Sequence, residues 1–277
     1  MKINTDTGSL ITQERAKQLG ITLFPLQVAI DGNNYRDYFD ISAHDFIELT
    51  KTSIPVSSQP AVGEVIDSYE DMRETLHITM TTGLSATYDS AFGIIQSSDI
   101  KHVTLFNSKT LAGTQQYLVE LAVKLKEDNT IPEIVERMEY CLQKCQSFLV
   151  PEDFDYLKRG GRLSPIAATL GGLIRIKPIV TQTEGSLKLE RFGFGRNWKR
   201  TFKHIIDKMI ENGVNEKFKI YISHAENEAA ATLAHNQIKD SISNCDVEIL
   251  ELSPGMITQG GPGCVAIQYI LKDPLVD

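Results

Sequence analysis

Two periods of apolar spacing alternate along the first half of the chain. Short β-branched runs predict strands at 1–6, 21–30, 76–80 and 102–106, with Pro25 interrupting the second. Between them, apolar residues recur at helical spacing over 61–73, 86–96, 111–127 and 132–144. Ser42-Ala43-His44-Asp45 has the pattern of a capping box and predicts a helix entered at Phe46. Pro132 and Pro60 fit first helical turns, where a missing N–H costs nothing. Asp31-Gly32-Asn33-Asn34 reads as a turn. This βα alternation implies a parallel sheet covered by helices on both faces.

Near residue 147 the rhythm changes. Strands are predicted at 147–150, 176–181, 186–191, 217–223, 246–252 and 263–270, with only two clear helices, 197–211 and 226–240. More strands per helix implies a mixed sheet with helices on one side. The expected architecture is α/β in two domains: residues 1–147 as a three-layer α/β/α unit with a parallel sheet, and residues 148–277 as an α+β unit with a mixed sheet.

The turn Gly83-Leu84-Ser85-Ala86-Thr87 stands where a strand gives way to a helix, so Ser85 lies beside free backbone N–H groups and the positive end of a helix dipole. Such a corner holds an anion without a charged side chain. Three readings of Ser85 follow: a cap on its own helix, an anion-binding cap, or the nucleophile of an acyl hydrolase. The last has Thr87 where the nucleophile elbow has glycine. Its only placed base is His224, with no evident orienting acid. Pro55-Val56-Ser57-Ser58-Gln59-Pro60 is a second hydroxyl-rich corner before a helix. In open α/β sheets, ligands collect where such helix starts converge.

Composition narrows the field. At 277 residues and 42% hydrophobic the chain can bury a core, and its net charge of −8 argues against a nucleic-acid partner. Within this acidic chain, Lys158-Arg159-Gly160-Gly161-Arg162 is a dense cationic turn, extended by Arg175, Lys177, Arg191 and Arg196. It is read either as a solvated turn or as a contact to a phosphate or a charged partner. Gln259-Gly260-Gly261-Pro262-Gly263 permits unusual backbone angles and close ligand approach but matches no nucleotide fingerprint. No His or carboxylate spacing suggests a metal, and no cofactor is expected. The four cysteines read as small apolar fillers of a reduced, cytoplasmic protein. Residues 1–6 already read as strand rather than leader, and no run of 18 apolar residues suggests membrane insertion.

Taken in order, several motifs carry a likeness over nearly the whole chain. They are Asn4-Thr5-Asp6-Thr7, Tyr35-Arg36-Asp37 with Asp40-Ile41-Ser42, Ser57-Ser58-Gln59-Pro60 and Gly83-Leu84-Ser85-Ala86-Thr87-Tyr88. Asn107-Ser108-Lys109, residues 156–164, Ile176-Lys177-Pro178-Ile179 and Gly261-Pro262-Gly263 complete the set. The chain resembles the DegV family, whose characterised members include the FakB fatty-acid-binding proteins of bacterial fatty acid kinase systems. The resemblance implies a long-chain fatty acid enclosed between two domains, its carboxylate held by Ser57, Ser85, Ala86 and Gln259. It also implies presentation of that carboxylate to a fatty acid kinase, which would supply the chemistry. Lys158, Arg159, Arg162, Arg175 and Arg196 would then meet the kinase or the acyl-phosphate. Burying about sixteen methylenes would contribute on the order of 10 kcal/mol before ordering costs. Two positions depart from the family pattern: Ser57 stands for the usual threonine, and Gln259 for a histidine. Gln donates a hydrogen bond but carries no charge, which brings a lipid buffer or sensor without a kinase partner beside the carrier reading.

Overall fold

The computed structural model describes residues 1–164, 176–183, 185 and 187–276. The first half runs β1 Lys2–Asp6, α1 Gln13–Leu19, β2 Thr22–Phe24, β3 Gln27–Ile30, β4 Asn33–Arg36, α2 Ala43–Leu49, β5 Val56–Ser58, α3 Val62–Tyr69, β6 Thr75–Thr79, α4 Thr87–Ser97, β7 Val103–Asn107, α5 Ala112–Leu125 and α6 Ile131–Leu142. The second runs β8 Cys145–Val150, α7 Phe154–Arg159, β9 Lys177–Gln182, β10 Leu189–Gly195, α8 Trp198–Glu211, β11 Phe218–His224, α9 Glu228–Ser241, β12 Asp246–Glu251, α10 Pro254–Gly260 and β13 Val265–Leu271.

Strands β2-β1-β6-β7 form a parallel sheet. Side-chain alternation along a strand sends neighbours to opposite faces, and here both faces are covered. Ile3, Leu76, Ile78 and Phe106 pack with Leu118, Leu121, Ile134 and Met138 of α5 and α6. On the other face, Asn4 hydrogen-bonds Ser68 of α3, and His77 meets the Tyr69 hydroxyl at 2.6 Å. Burial pushes the His77 imidazole down to about 3, so it is a neutral core residue.

The run 21–30 is two strands rather than one. Pro25 lacks an N–H for a ladder, so β2 stays in the parallel sheet while β3 enters a separate antiparallel sheet, β4-β3-β5. Asn33 and Asn34 belong to β4 rather than to the turn. The hairpin loop is Asp31-Gly32 alone, both residues at positive φ, as a two-residue turn between twisted strands demands. Pro60 precedes the cap of α3 instead of sitting inside it, and α3 ends at Tyr69 rather than at 73. Helices α1, α7 and α10 have six or seven residues each, too short to show a period in the sequence.

Strands β10-β9-β8-β13-β11-β12 form a mixed sheet in which only β11 and β12 run parallel. Phe148, Ile179, Ile220, Ile222 and Ile267 point to α8 and α9, which cover one face. The opposite face turns toward the first half of the chain. There α5 is the shared middle layer. A Cβ on Gly113 would stand 2.3 Å from the Tyr221 ring, so glycine permits the contact. The N–H of Gly113 donates to Gln268 of β13 at 3.0 Å, and Gln115 reaches Thr5 of β1 at 3.2 Å. Among the described residues no helix is long and apolar enough to cross a membrane.

Candidate functional site

Between the two halves lies a cavity of about 210 Å3, with an overwhelmingly apolar lining. Met80 and Leu84 come from the first half, while Leu149, Val180 and Ala266 form a floor from the mixed sheet. Ser57, Ser85, Ala86 and Gln259 all line it, although they are scattered over two hundred positions of sequence.

Ser57 stands on the edge strand β5, paired with Val28. Gln259 donates from Nε2 to Ser57 Oγ at 2.9 Å, leaving the serine proton to be offered elsewhere. The Gln259 Oε1 is buried and has no partner among the described residues. A Cβ on Gly160 would sit 2.5 Å from that oxygen, so a glycine keeps room for it. Gln259 and Gly260 close α10 rather than forming a loop, and the positive φ values begin at Gly261 and recur at Gly263.

Ser85 does not cap its helix in the expected way. Ala86 holds the cap position of α4 without a side-chain bond. The Ser85 Oγ, one residue earlier, accepts from the Thr87 N–H at 3.2 Å and meets Thr87 Oγ1 at 2.8 Å. Gly83 at φ 81° makes this turn possible, and a Cβ there would lie 2.6 Å from the Leu187 carbonyl.

The cations do not converge. Arg162 is half-buried in the cavity lining, donating to the Leu84 and Gly160 carbonyls. Burial lowers its pKa. Lys158 and Arg159 are exposed on the last turn of α7, where cations suit the helix dipole, and Arg159 lies over the Tyr156 ring. Arg196 is exposed beyond β10. Lys177 is taken up by Glu152 and the Trp198 ring. Arg175 lies outside the described residues.

His224 is buried at the end of β11, where Nδ1 accepts from the Asn227 N–H. Neither it nor any other histidine or carboxylate is among the described cavity-lining residues, which leaves Ser85 without a base there. Cys264 does line the cavity, its thiol pushed up to about 12 by burial and hence protonated. Among the described residues no group of three or more His, Cys, Asp or Glu is placed to hold a metal ion.

Sequence reading missed what holds α10 in place. Asp37 is fully buried and accepts from the Thr7 hydroxyl at 2.6 Å, the Ser253 hydroxyl at 2.8 Å and the Gly255 N–H at 2.9 Å. It thus ties β1's exit and the β4 turn to the start of the helix that carries Gln259. Burial raises Asp37 to about 6, and Asp6 behind it likewise, despite the hydrogen bonds that oppose the shift. A carboxyl raised above its unfolded value near 3.9 holds a proton in the native state that the unfolded chain has released. Stability therefore falls as pH rises from about 4 to about 6. Relative to Asp37→Asn, wild type is expected to lose up to about 3 kcal/mol across that window and to level off above it. Denaturant titrations of both proteins at matched pH check this, and a constant difference would contradict it.

A sequence profile described as an uncharacterised DegV-family protein matches residues 1–272. A DegV domain-containing protein of Listeria monocytogenes is 28% identical, with 97% of each chain covered. Another, from Staphylococcus aureus, is 34% identical over 68% of this chain and 69% of its own. Among solved structures, DegV of Bacillus subtilis, described as a fatty acid binding protein, superposes with a TM-score of 0.85 at 23% identity, covering 98% of this chain and 99% of its own. A fatty acid binding DegV family protein of Streptococcus agalactiae gives 0.88 at 22%, covering 98% of both chains. The parallel and mixed sheets, the cavity between them and the match over residues 1–272 agree: this chain belongs to the DegV family.

Proposed function

We propose that this protein binds a long-chain fatty acid in the cavity, with Ser57, Ser85, the Ala86 backbone and Gln259 around the carboxylate, and presents it to a fatty acid kinase. The observation that carries the reading is the gathering of these residues from three distant segments onto one largely apolar cavity. A carboxylate there gains charge-assisted hydrogen bonds from hydroxyls and the start of α4. The hydrocarbon gains about 0.8 kcal/mol per methylene removed from water. The descriptions of the Bacillus subtilis and Streptococcus agalactiae proteins support the same ligand class.

On this reading Arg162 is the cation nearest the carboxylate, while Lys158, Arg159 and Arg196 face outward toward the kinase. Gln259 in place of a histidine favours a second reading, a lipid buffer with no kinase partner. The absence of histidine and carboxylate from the described lining argues against the hydrolase. Delipidated protein is expected to take up one long-chain fatty acid per chain in native mass spectrometry and calorimetry. No uptake of any chain length would end the proposal. Acyl-phosphate formed on adding kinase and ATP distinguishes carrier from buffer.

A further inference from the structure

The floor of the cavity is not apolar throughout. Residues facing it are Cys264 just before β13, and Ala266 and Gln268 along it; along β8 they are Leu149 and Ser147; along β9, Val180 and Gln182. Leu149 pairs with both Ala266 and Val180, so these three make one apolar row across the sheet. One step further, Ser147 pairs with Gln268, and the same antiparallel register brings Gln182 alongside. A polar row therefore crosses the floor of a hydrocarbon site. Beyond it lies a second cavity of about 350 Å3 that shares Ser147 and Gln182 and adds Lys109, Gln146 and Thr183.

Gln268 is fully employed in structure. Its Oε1 accepts from the Gly113 N–H, and its two Nε2 protons are shared among Ser147 Oγ at 2.7 Å, the Leu111 carbonyl and Thr114 Oγ1. Because Ser147 receives that bond, its own proton is free to point elsewhere, and no acceptor for it stands among the described residues. Among the described residues, the Gln182 Nε2 reaches only the Lys109 carbonyl, at 3.4 Å. A saturated tail laid over this row would cover polar groups without satisfying them, which carries a penalty.

We propose that the cavity is built for an oxygenated fatty acid, one whose chain bears a hydroxyl or oxo group that Ser147 and Gln182 hold. This rests on the fatty-acid reading above and adds the ligand's second polar group. Gly260 places the Gln259 side of the head group: a Cβ there would meet Cys264 Sγ at 2.7 Å, so Gln259 lies beside the Cys264 end of the floor. Four residues of strand from Cys264 to Gln268 span about 13 Å, which a straight saturated chain covers in about ten carbons. An oxygen near the middle of an eighteen-carbon acid would reach Ser147 with its carboxylate at Gln259 and Ser57. An oxygen closer to the carboxylate would be stranded against Leu149 and Ala266.

The test is a competition series on the delipidated full chain, using octadecanoic acid and its hydroxy isomers from about carbon 6 to about carbon 14. One interior isomer is expected to bind about tenfold tighter than the unsubstituted acid, and isomers hydroxylated nearer the carboxylate to bind more weakly than it. In Ser147→Ala the ratio of the preferred isomer to octadecanoic acid should fall to about one. If octadecanoic acid binds and every hydroxy isomer binds equally or worse, the inference is overturned while the fatty-acid reading stands. A wild-type preference that persists in Ser147→Ala overturns the assignment to Ser147. If no acid binds, the fatty-acid reading fails first and this inference with it.

Discussion

The double variant Ser57→Ala/Ser85→Ala is expected to bind long-chain fatty acid at least about 100-fold more weakly than wild type. Each hydroxyl offers a charge-assisted hydrogen bond worth roughly 1.5–3 kcal/mol when the acceptor is a buried carboxylate. Ser85 bonds within its own turn, while Ser57→Ala also removes the acceptor of Gln259 Nε2, so its effect includes any loosening of Gln259. The methyl ester of the same acid has no charge to satisfy, so its affinity should change far less. Calorimetry on acid and ester, in wild type and variant, separates head-group recognition from burial of the tail. Equal affinity of both proteins for the acid would remove the serines from the site.

Asp37→Ala is expected to cost about 3 kcal/mol of stability at pH 7, read as a lowered denaturant midpoint. Two hydroxyls and one N–H would lose their buried acceptor, at about 1–3 kcal/mol for each group left unsatisfied. Relief from burying a charge offsets part of that sum. A second consequence follows from position. Ser253 and Gly255 open α10, and Gln259 closes it. Loosening the helix start should therefore weaken fatty acid binding in a variant that remains folded. Unchanged stability and unchanged binding together would show that the Asp37 junction holds nothing in place.

Part of the cavity lining is legible in the sequence itself. Ser57 and Ser85 stand out because a hydroxyl at a strand-to-helix corner is a local signal, written within six residues. Asp37 gives no such local signal: it stands out only as part of the Tyr35-Arg36-Asp37 motif, with no role attached, and its burial among Thr7, Ser253 and Gly255 supplies the role. The cationic turn is visible as a run without showing which way each cation points. Lys158 and Arg159 are conspicuous as a run, yet the six-residue helix α7 directs them outward, while Arg162 lies beyond its end and turns inward.

Short elements are hidden for a related reason. A helix of seven residues completes about two turns, too few for an apolar period to emerge. In the segment that forms α10, only the glycines at its end stand out. The break at Pro25 is visible, but its consequence is not. A missing N–H says that a ladder ends, without saying that the next strand joins another sheet.

The alternation of apolar and polar positions by itself determined the class of architecture, a βα-wound half followed by a strand-rich half. That information is local, because each strand or helix declares its buried face through its own period. Only the tertiary structure decided that Ser57, Ser85 and Gln259 share one cavity, that α5 is packed on both sides, and that Ser147, Gln182 and Gln268 line up across its floor. Those facts depend on register and crossover between distant segments, which long-range packing selects and no short stretch of chain encodes.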